Sequence, residues 1–349
     1  MGADYIITGA LGHLAQNIIA RLRPRGCRIV GIDRPEAVQG AETDFKLYGA
    51  DVRDSQAIRG IFRAEAREYT VVIHTAALVH ISDEENADVF AVNVGGTKNI
   101  LDACVQARVR RLVYVGSVHA IPVSPGARLV RECARFDPAA VTGVYAKSKA
   151  AACAAVLEAE AGGLDAVVVL PSGILGPGDR SGGNHLNRLI RDYIQGRIPV
   201  GVQGGFDLVD VRDAAQGIVL AADKGISGRS YILSGRWMSI RELFDCVQLA
   251  CGGPRRPCVP IWAARLALPF IRRHAERQDA IPLFTAYSLD ALRSNALYLH
   301  DRASRELGYA PHDLRTAVTD TARWYAKQEE KNTPLLRLPA GQTLQSNPG

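Results

Sequence analysis

Tyr145 and Lys149, in Tyr145-Ala146-Lys147-Ser148-Lys149, are four residues apart, so on a helix both side chains leave the same face one turn from each other. That spacing suits proton transfer. A phenol with an ordinary pKa of about 10 is a poor acid–base group at neutral pH, whereas a fixed ammonium beside it stabilises the phenolate and brings it towards the working range. Such a phenol gives a proton to a carbonyl oxygen as hydride reaches the carbon, or takes one from an alcohol as hydride leaves. Ser117, in Tyr114-Val115-Gly116-Ser117 at the carboxyl end of an apolar run, can hydrogen-bond the same oxygen and steady its developing charge. Lys149 is also long enough to reach a nicotinamide ribose. His119, two residues past Ser117, either faces a substrate, hydrogen-bonding it or relaying protons, or closes a turn with its ring satisfied.

Hydride needs a carrier. Thr8-Gly9-Ala10-Leu11-Gly12-His13-Leu14-Ala15 follows the apolar run Tyr5 to Thr8 and opens an amphipathic stretch, the context in which a glycine pattern binds a dinucleotide. Gly9 permits the tight turn, Gly12 lets backbone approach a pyrophosphate, the helix start offers N–H groups to its charge, and Ala15 replaces a third glycine. Asp33, ending the next apolar run, can accept hydrogen bonds from both ribose hydroxyls and repel a 2′-phosphate, which favours NAD. Arg34 beside it could pair with that phosphate, so NADP stays open.

These residues must be held by a sheet. Short apolar runs at Tyr5 to Thr8, Arg28 to Asp33, Val71 to Thr75, Arg111 to Gly116 and Ala166 to Leu170 alternate with helical patterns, among them Tyr145 to Ala161. Their apolar character on successive positions predicts strands covered on both faces, hence an α/β, Rossmann-type doubly wound parallel sheet. Ligands of such sheets bind beyond the carboxyl ends of the strands, where the glycine loop, Asp33, Ser117 and the Tyr145 helix all fall. The expected dinucleotide domain is 1–171. After Pro171 the chain becomes punctuated by Gly176-Pro177-Gly178, Gly182-Gly183 and Gly204-Gly205, which predicts a smaller substrate lobe of loops and helices over 172–328. Returns to the sheet are expected near 205–234, at Leu208 to Asp213 and Tyr231 to Leu233, so that the lobes interleave. From about Glu329 the periodicity ends, and 329–349 reads as a mobile tail.

The 349 residues, 47% hydrophobic and 22% charged, fit a globular protein, and no apolar run approaches the ~18 residues of a membrane span. The amino terminus shows no secretory pattern, so the expected location is the cytoplasm. Seven cysteines without a Cys-x-x-Cys pair read as scattered thiols, and Cys246, Cys251 and Cys258 lack histidines at metal-ligand spacing, so no metal is expected. The net charge of +6 concentrates at Arg255, Arg256, Arg265, Arg272, Arg273 and Arg277, a solvated face or a groove for an anionic substrate. No aromatic residues interleave with it in the manner of a nucleic-acid surface. Trp262, Phe270, Phe284 and Tyr287 are candidates for an apolar pocket or for core.

From Asp4 to about Trp324 the chain resembles the extended short-chain dehydrogenase/reductase family, the NAD-dependent epimerase/dehydratase superfamily. Beside the glycine loop and the Ser117, Tyr145, Lys149 set, Asp51-Val52 looks like the family's adenine contact, His74-Thr75-Ala76-Ala77 like its strand-end cofactor loop and Asn93-Val94-Gly95-Gly96-Thr97 like its central helix motif. The resemblance implies that Pro171 and Ser172 lie near the nicotinamide and that Asp210 to Asp213 tie the substrate lobe to the sheet. It also implies a homodimer, paired through the helix after Lys149, whose small residues Ala150 to Ala155 could equally serve to pack it on its own sheet.

Within that family two branches compete. Sugar-nucleotide epimerases and dehydratases usually carry asparagine where this chain has Ser172, a side chain that helps hold the sugar nucleotide. Leu170-Pro171-Ser172-Gly173, Ser117-Val118-His119-Ala120 and Pro282-Leu283-Phe284-Thr285 look more like dihydroflavonol-reductase-like and 3β-hydroxysteroid-dehydrogenase-like members. That branch implies an alcohol/ketone oxidoreductase of a small apolar substrate contacted by Ser117, His119, Tyr145 and Ser172. The alternatives are a sugar-nucleotide epimerase or dehydratase, and a non-catalytic dinucleotide sensor, a type that often loses the Tyr and Lys retained here.

Overall fold

The computed structural model describes residues 4–80, 86–123, 128–277 and 296–332, together with Leu289 and Leu292. The first part of the chain supplies β1 (Tyr5–Thr8), α1 (His13–Leu22), β2 (Ile29–Asp33), α2 (Pro35–Val38), β3 (Lys46–Gly49), α3 (Ser55–Glu65) and β4 (Val71–His74). There follow α4 (Ala87–Phe90), a π-helical stretch Ala91–Gly96, α5 (Thr97–Ala107), β5 (Arg111–Val115), β6 (Leu129–Val130), α6 (Val144–Ala161), β7 (Ala166–Pro171), β8 (Gly173–Leu175) and α7 (His185–Ile194). The remainder is β9 (Gly201–Val202), β10 (Gly205–Asp210), α8 (Val211–Lys224), β11 (Ser230–Leu233), β12 (Arg236–Ser239), α9 (Ile240–Cys251), β13 (Cys258–Val259), α10 (Ile261–Arg277), β14 (Leu297–Tyr298), α11 (Asp301–Leu307) and α12 (Leu314–Asn332).

Seven parallel strands form the main sheet in the order β11-β7-β5-β4-β1-β2-β3. The chain leaves β1 towards β2 and β3, then crosses to β4 on the other side, so the order reverses between β1 and β4, where doubly wound sheets open a crevice. Burial on both faces explains the apolar runs. Ile6, Val30, Val72, Leu112 and Val168 pack with Ile58, Ile100 and Ala150 of α3, α5 and α6, while Ile7, Ile73, Val113 and Val167 pack with Ile18 and Ile218 of α1 and α8. In α6 the small residues Ala150, Ala152 and Cys153 are fully buried within the protein, which lets the helix lie close on its own sheet.

β3 carries little apolar signal, because as an edge strand it is only half covered. It is fastened from below: Lys46 Nζ lies 2.5 Å from Glu65 Oε1, to which the Tyr48 hydroxyl also donates, while Arg28 holds Oε2. Lys46 and Tyr48 foremost hold that buried carboxyl down at about 2. The opposite edge, β11, is closed by side chains. Arg302 donates to the Ser230 carbonyl at 3.0 Å, the Glu132 carboxylate accepts from the Ile232 N–H at 3.1 Å, and the two side chains face each other at 3.9 Å.

A second group of elements has its own apolar centre, with Leu175, Ile190, Leu208, Phe244, Val247 and Val318 buried together. It contains a three-stranded sheet, β12-β10-β8, that loops and helices alone did not anticipate. The expected return of Leu208 to Asp213 to the main sheet is therefore corrected. β10 joins β8 and β12, and Asp210 stops the strand by accepting the Arg212 N–H at 2.8 Å and capping α8. Only β11 rejoins the main sheet. The expected loss of structure from Glu329 is also corrected, since α12 continues to Asn332 and Gln195 hydrogen-bonds Glu329; 333–349 lie outside the described residues, as do Phe284 and Tyr287. Trp262 and Phe270 are not core: both are exposed on α10.

Gly31 sits where β2 passes under the glycine loop. A Cβ there would lie 2.6 Å from the Phe45 ring, 2.8 Å from Ala10 Cβ and 2.9 Å from Leu47 Cδ1. Gly31→Ala is expected to cost about 1–3 kcal/mol through overpacking, read as a lower urea midpoint; an unchanged midpoint would show that this contact yields freely.

Candidate active site

At the carboxyl end of β1, Gly9 adopts φ +66°, and a Cβ would fall 3.0 Å from Ala76 backbone and from Thr75 Oγ1, so glycine alone fits the turn. Gly12 donates its N–H to the Gly9 carbonyl at 2.9 Å and begins α1, which has no side-chain cap and no acidic residue in its first turn. A glycine cradle leading into an uncapped helix start fits the diphosphate of NAD. Leu11 completes this loop, and His13 and Leu14 open α1; His13 Nε2 lies 3.0 Å from the Pro177 carbonyl and Nδ1 lies 3.3 Å from Asn184 Nδ2, which joins the cradle to the second lobe.

Asp33, half-buried at the end of β2, is tied to the same loop. Its Oδ2 accepts the Leu11 N–H and its Oδ1 the Arg34 N–H, both at 2.8 Å. Arg34 is exposed. Asp51 is gripped by Arg53, with Nη2 at 2.7 Å, which lowers its carboxyl below the usual range; the Arg34 charge adds to this. Val52 is buried against Gly96, where a Cβ would come within 2.5 Å of Val52 Cγ2.

From this loop a buried row of hydrogen bonds crosses to α6. Thr75 Oγ1 donates to the Thr8 carbonyl at 2.6 Å, and Ala76 N–H donates to Thr8 Oγ1 at 3.2 Å. Thr8 Oγ1 meets His74 Nδ1 at 2.6 Å, and His74 Nε2 meets Thr97 Oγ1 at 3.0 Å. Burial, with the Lys149 charge adding, pushes His74 down to about 3, so the ring is neutral and donates from one nitrogen only. Thr97 Oγ1 gives its proton to the Asn93 carbonyl at 2.7 Å and must therefore accept from Nε2, which leaves Nδ1 to accept from Thr8. Asn93, in the π-helical stretch, takes the Leu78 N–H at 2.8 Å and donates to the Leu78 carbonyl and Ser148 Oγ, each at 3.0 Å. Ser148 Oγ donates in turn to the Tyr145 carbonyl at 2.8 Å.

Lys149 is buried, and burial lowers it from the ordinary lysine range to about 8. Its ammonium donates to the Val115 carbonyl at 2.8 Å and stands 5.2 Å from the centre of the Tyr114 ring. Val115 ends β5, and two residues on lies Ser117, buried, whose hydroxyl accepts the His119 N–H at 3.3 Å. Tyr145 is half-buried in the first turn of α6, its ring edge-on to His119 at 6.2 Å between centres. Ser117, His119, Tyr145 and Lys149 thus gather at the end of β5, at the same carboxyl-end edge of the sheet as the glycine loop, with Ala77 beyond the end of β4. Pro171 ends β7, and Ser172 is buried beside it, its N–H on the Leu233 carbonyl at 3.2 Å.

Two residues escaped the reading of the sequence. Ser148 lay inside the Tyr-Lys motif, yet only the fold shows that it meets Asn93. Asp207 of β10 is buried near Ser172, accepting the Tyr298 N–H at 3.1 Å; burial raises it to about 6 against the pull of the Ser172 hydroxyl. An aspartate in a strand between apolar neighbours was the available signal. Among the described residues no cluster of ligating side chains could hold a metal, and no helix is long and apolar enough to cross a membrane.

A model of the NAD dependent epimerase/dehydratase family matches residues 5–234. Sterol demethylase protein B of Methylococcus capsulatus is 32% identical over 334 residues, covering 93% of this chain and 98% of that protein. The 3 beta-hydroxysteroid dehydrogenase/Delta 5-->4-isomerase of Mycobacterium tuberculosis is 27% identical over 354 residues, covering 93% and 91%. The crystal structure of gox2253 superposes with a TM-score of 0.78 at 28% identity, over 94% of this chain and 99% of that one. With the seven-stranded sheet and the glycine cradle, these matches make the protein an NAD(P)-dependent oxidoreductase, and the chain belongs to the NAD dependent epimerase/dehydratase family.

Proposed function

We propose that the protein interconverts an alcohol and a ketone on a small apolar substrate, with Tyr145 moving the proton, Lys149 favouring the phenolate and Ser117 hydrogen-bonding the reacting oxygen. The observation that carries this reading is the buried Lys149 ammonium, fixed on the Val115 carbonyl one helical turn from Tyr145. Bound NAD supplies the hydride acceptor or donor. The protein's own residues supply the rest: Ser117 orients the substrate oxygen, Tyr145 gives or takes its proton, and Lys149 stabilises the charge left on the phenol. Burial already draws Lys149 to about 8, so its charge is fully present only below that pH and fades above it.

Two relatives that align over most of their length with this chain are named for sterol or hydroxysteroid chemistry, which supports an apolar substrate. Ser172, where sugar-nucleotide enzymes usually carry asparagine, supports the same choice. The family also holds epimerases and dehydratases, in which hydride returns to the substrate. The two readings separate on purified protein mixed with NAD or NADH and a panel of sterols, flavonoid-like ketones, small aldehydes and nucleotide sugars. Stoichiometric NADH change with an apolar alcohol or ketone supports the proposal; conversion of a nucleotide sugar without net NADH change overturns it.

Two variants test the residues. Tyr145→Phe should lower turnover by about 100-fold or more while NAD affinity, measured by fluorescence titration, stays within about threefold of wild type; unchanged turnover would refute the role of the phenol. Asp33→Ala should weaken NAD at least about tenfold, since it removes both the proposed ribose acceptor and the hydrogen bond that fixes Leu11. It should also narrow the preference for NAD over NADP, and a wild-type protein that already prefers NADP would transfer that choice to Arg34.

A further inference from the structure

Helix α10 buries Ala264 and turns Trp262, Leu266 and Phe270 to solvent, 67%, 70% and 77% exposed. Their spacing of four residues sets them along a single stripe, the arrangement that ordinarily faces a protein interior. Three large apolar side chains in contiguous exposure are uncommon on a soluble surface and mark a place where something apolar lands. Arginines border the stripe. Arg265 and Arg273 are exposed, and the helix sequence carries Arg265, Arg272, Arg273 and Arg277 against the single acidic residue Glu276, following exposed Arg255 in the preceding segment, whereas half-buried Arg256 stands over the Tyr193 ring at 5.8 Å.

We propose that α10 lies in the surface of an anionic lipid bilayer, with Trp262, Leu266 and Phe270 entering the boundary between headgroups and acyl chains and the arginines meeting lipid phosphates. An apolar stripe with a basic border and an indole is the chemistry of an interfacial helix, which lies on a membrane without crossing it. Charge complementarity favours lipid over a second copy of this chain. A bilayer rich in anionic headgroups neutralises the arginine surplus, whereas a second copy brings the same surplus to the contact. The inference does not rest on the proposed chemistry, and it gives a role to the exposed arginines of α10.

The test is sedimentation of the full protein with vesicles made of equal parts phosphatidylcholine and phosphatidylglycerol, or of phosphatidylcholine alone. The mixed vesicles should carry the protein down, with binding at least about tenfold weaker to phosphatidylcholine alone and weakened again by salt. The combined variant Trp262→Ser, Leu266→Ser, Phe270→Ser should lose binding at least about tenfold while its melting temperature and NAD affinity match wild type. Arg265→Ala with Arg273→Ala should lower it several-fold on the mixed vesicles only. No sedimentation with either vesicle would overturn the proposal, as would undiminished binding by the serine variant. A wild-type dimer in solution that the serine variant converts to a monomer would also overturn it, by assigning the stripe to a second copy.

Discussion

A neutral histidine in the middle of the protein fixes the relation between the glycine loop and the helix that carries Tyr145 and Lys149. His74 is surrounded by protein, and a charged imidazole there would lose its hydration without gaining a counter-ion, so the ring stays uncharged across the physiological range. One tautomer alone satisfies both Thr8 and Thr97, and the directions of the neighbouring bonds follow from it. In a low-dielectric interior each of these bonds is strong and each missing partner is costly, so the row from Thr75 to the Tyr145 carbonyl behaves as a spacer of fixed length. The π-helical stretch belongs to the same device. It brings Asn93 to where one amide serves the Leu78 backbone and Ser148 at once.

Lys149 shows how the same interior sets chemistry. Removing an ammonium from water disfavours its charge, and the Val115 carbonyl and the face of Tyr114 compensate only in part. The result is a lysine poised near the working pH, held by backbone at the end of a central strand. Its position is as rigid as the sheet. That rigidity is what the proposed proton-transfer pair would need, because a misplacement of an ångström costs far more than a modest change in pKa.

Contiguous motifs were legible in the sequence because their meaning is local. The glycine loop, Asp33, and the Tyr145 and Lys149 pair declare themselves by residue type, spacing and position after an apolar run. The central strands were legible because both faces are buried. β3 was not, since an edge strand whose polar side chains reach down to Glu65 has no such pattern. The three-stranded sheet of the second lobe was missed because β8 and β12 are too short to show alternation, and β10 looked like the main sheet's own strand. Trp262 and Phe270 misled for a different reason: a helical stripe has the same period whether it faces inward or outward, and only the packing of Ala264 against the protein decides. The bonds that join Thr8, His74, Thr97, Asn93 and Ser148 span dozens of residues of sequence, and no spacing rule announces them.

Glu132 and Arg302 occupy the outer border of β11 as a neighbouring strand's backbone would, one accepting from Ile232 and the other donating to Ser230. An open border of this kind is a template for endless lateral growth, the route by which sheets from different molecules fuse into fibrils. Here part of the template is already read by the Glu132 and Arg302 side chains, which cannot propagate it. The ribbon's border is broken at Ser230 and Ile232, and crowding many copies of this protein together leaves their sheets two fewer backbone groups to continue from on that side.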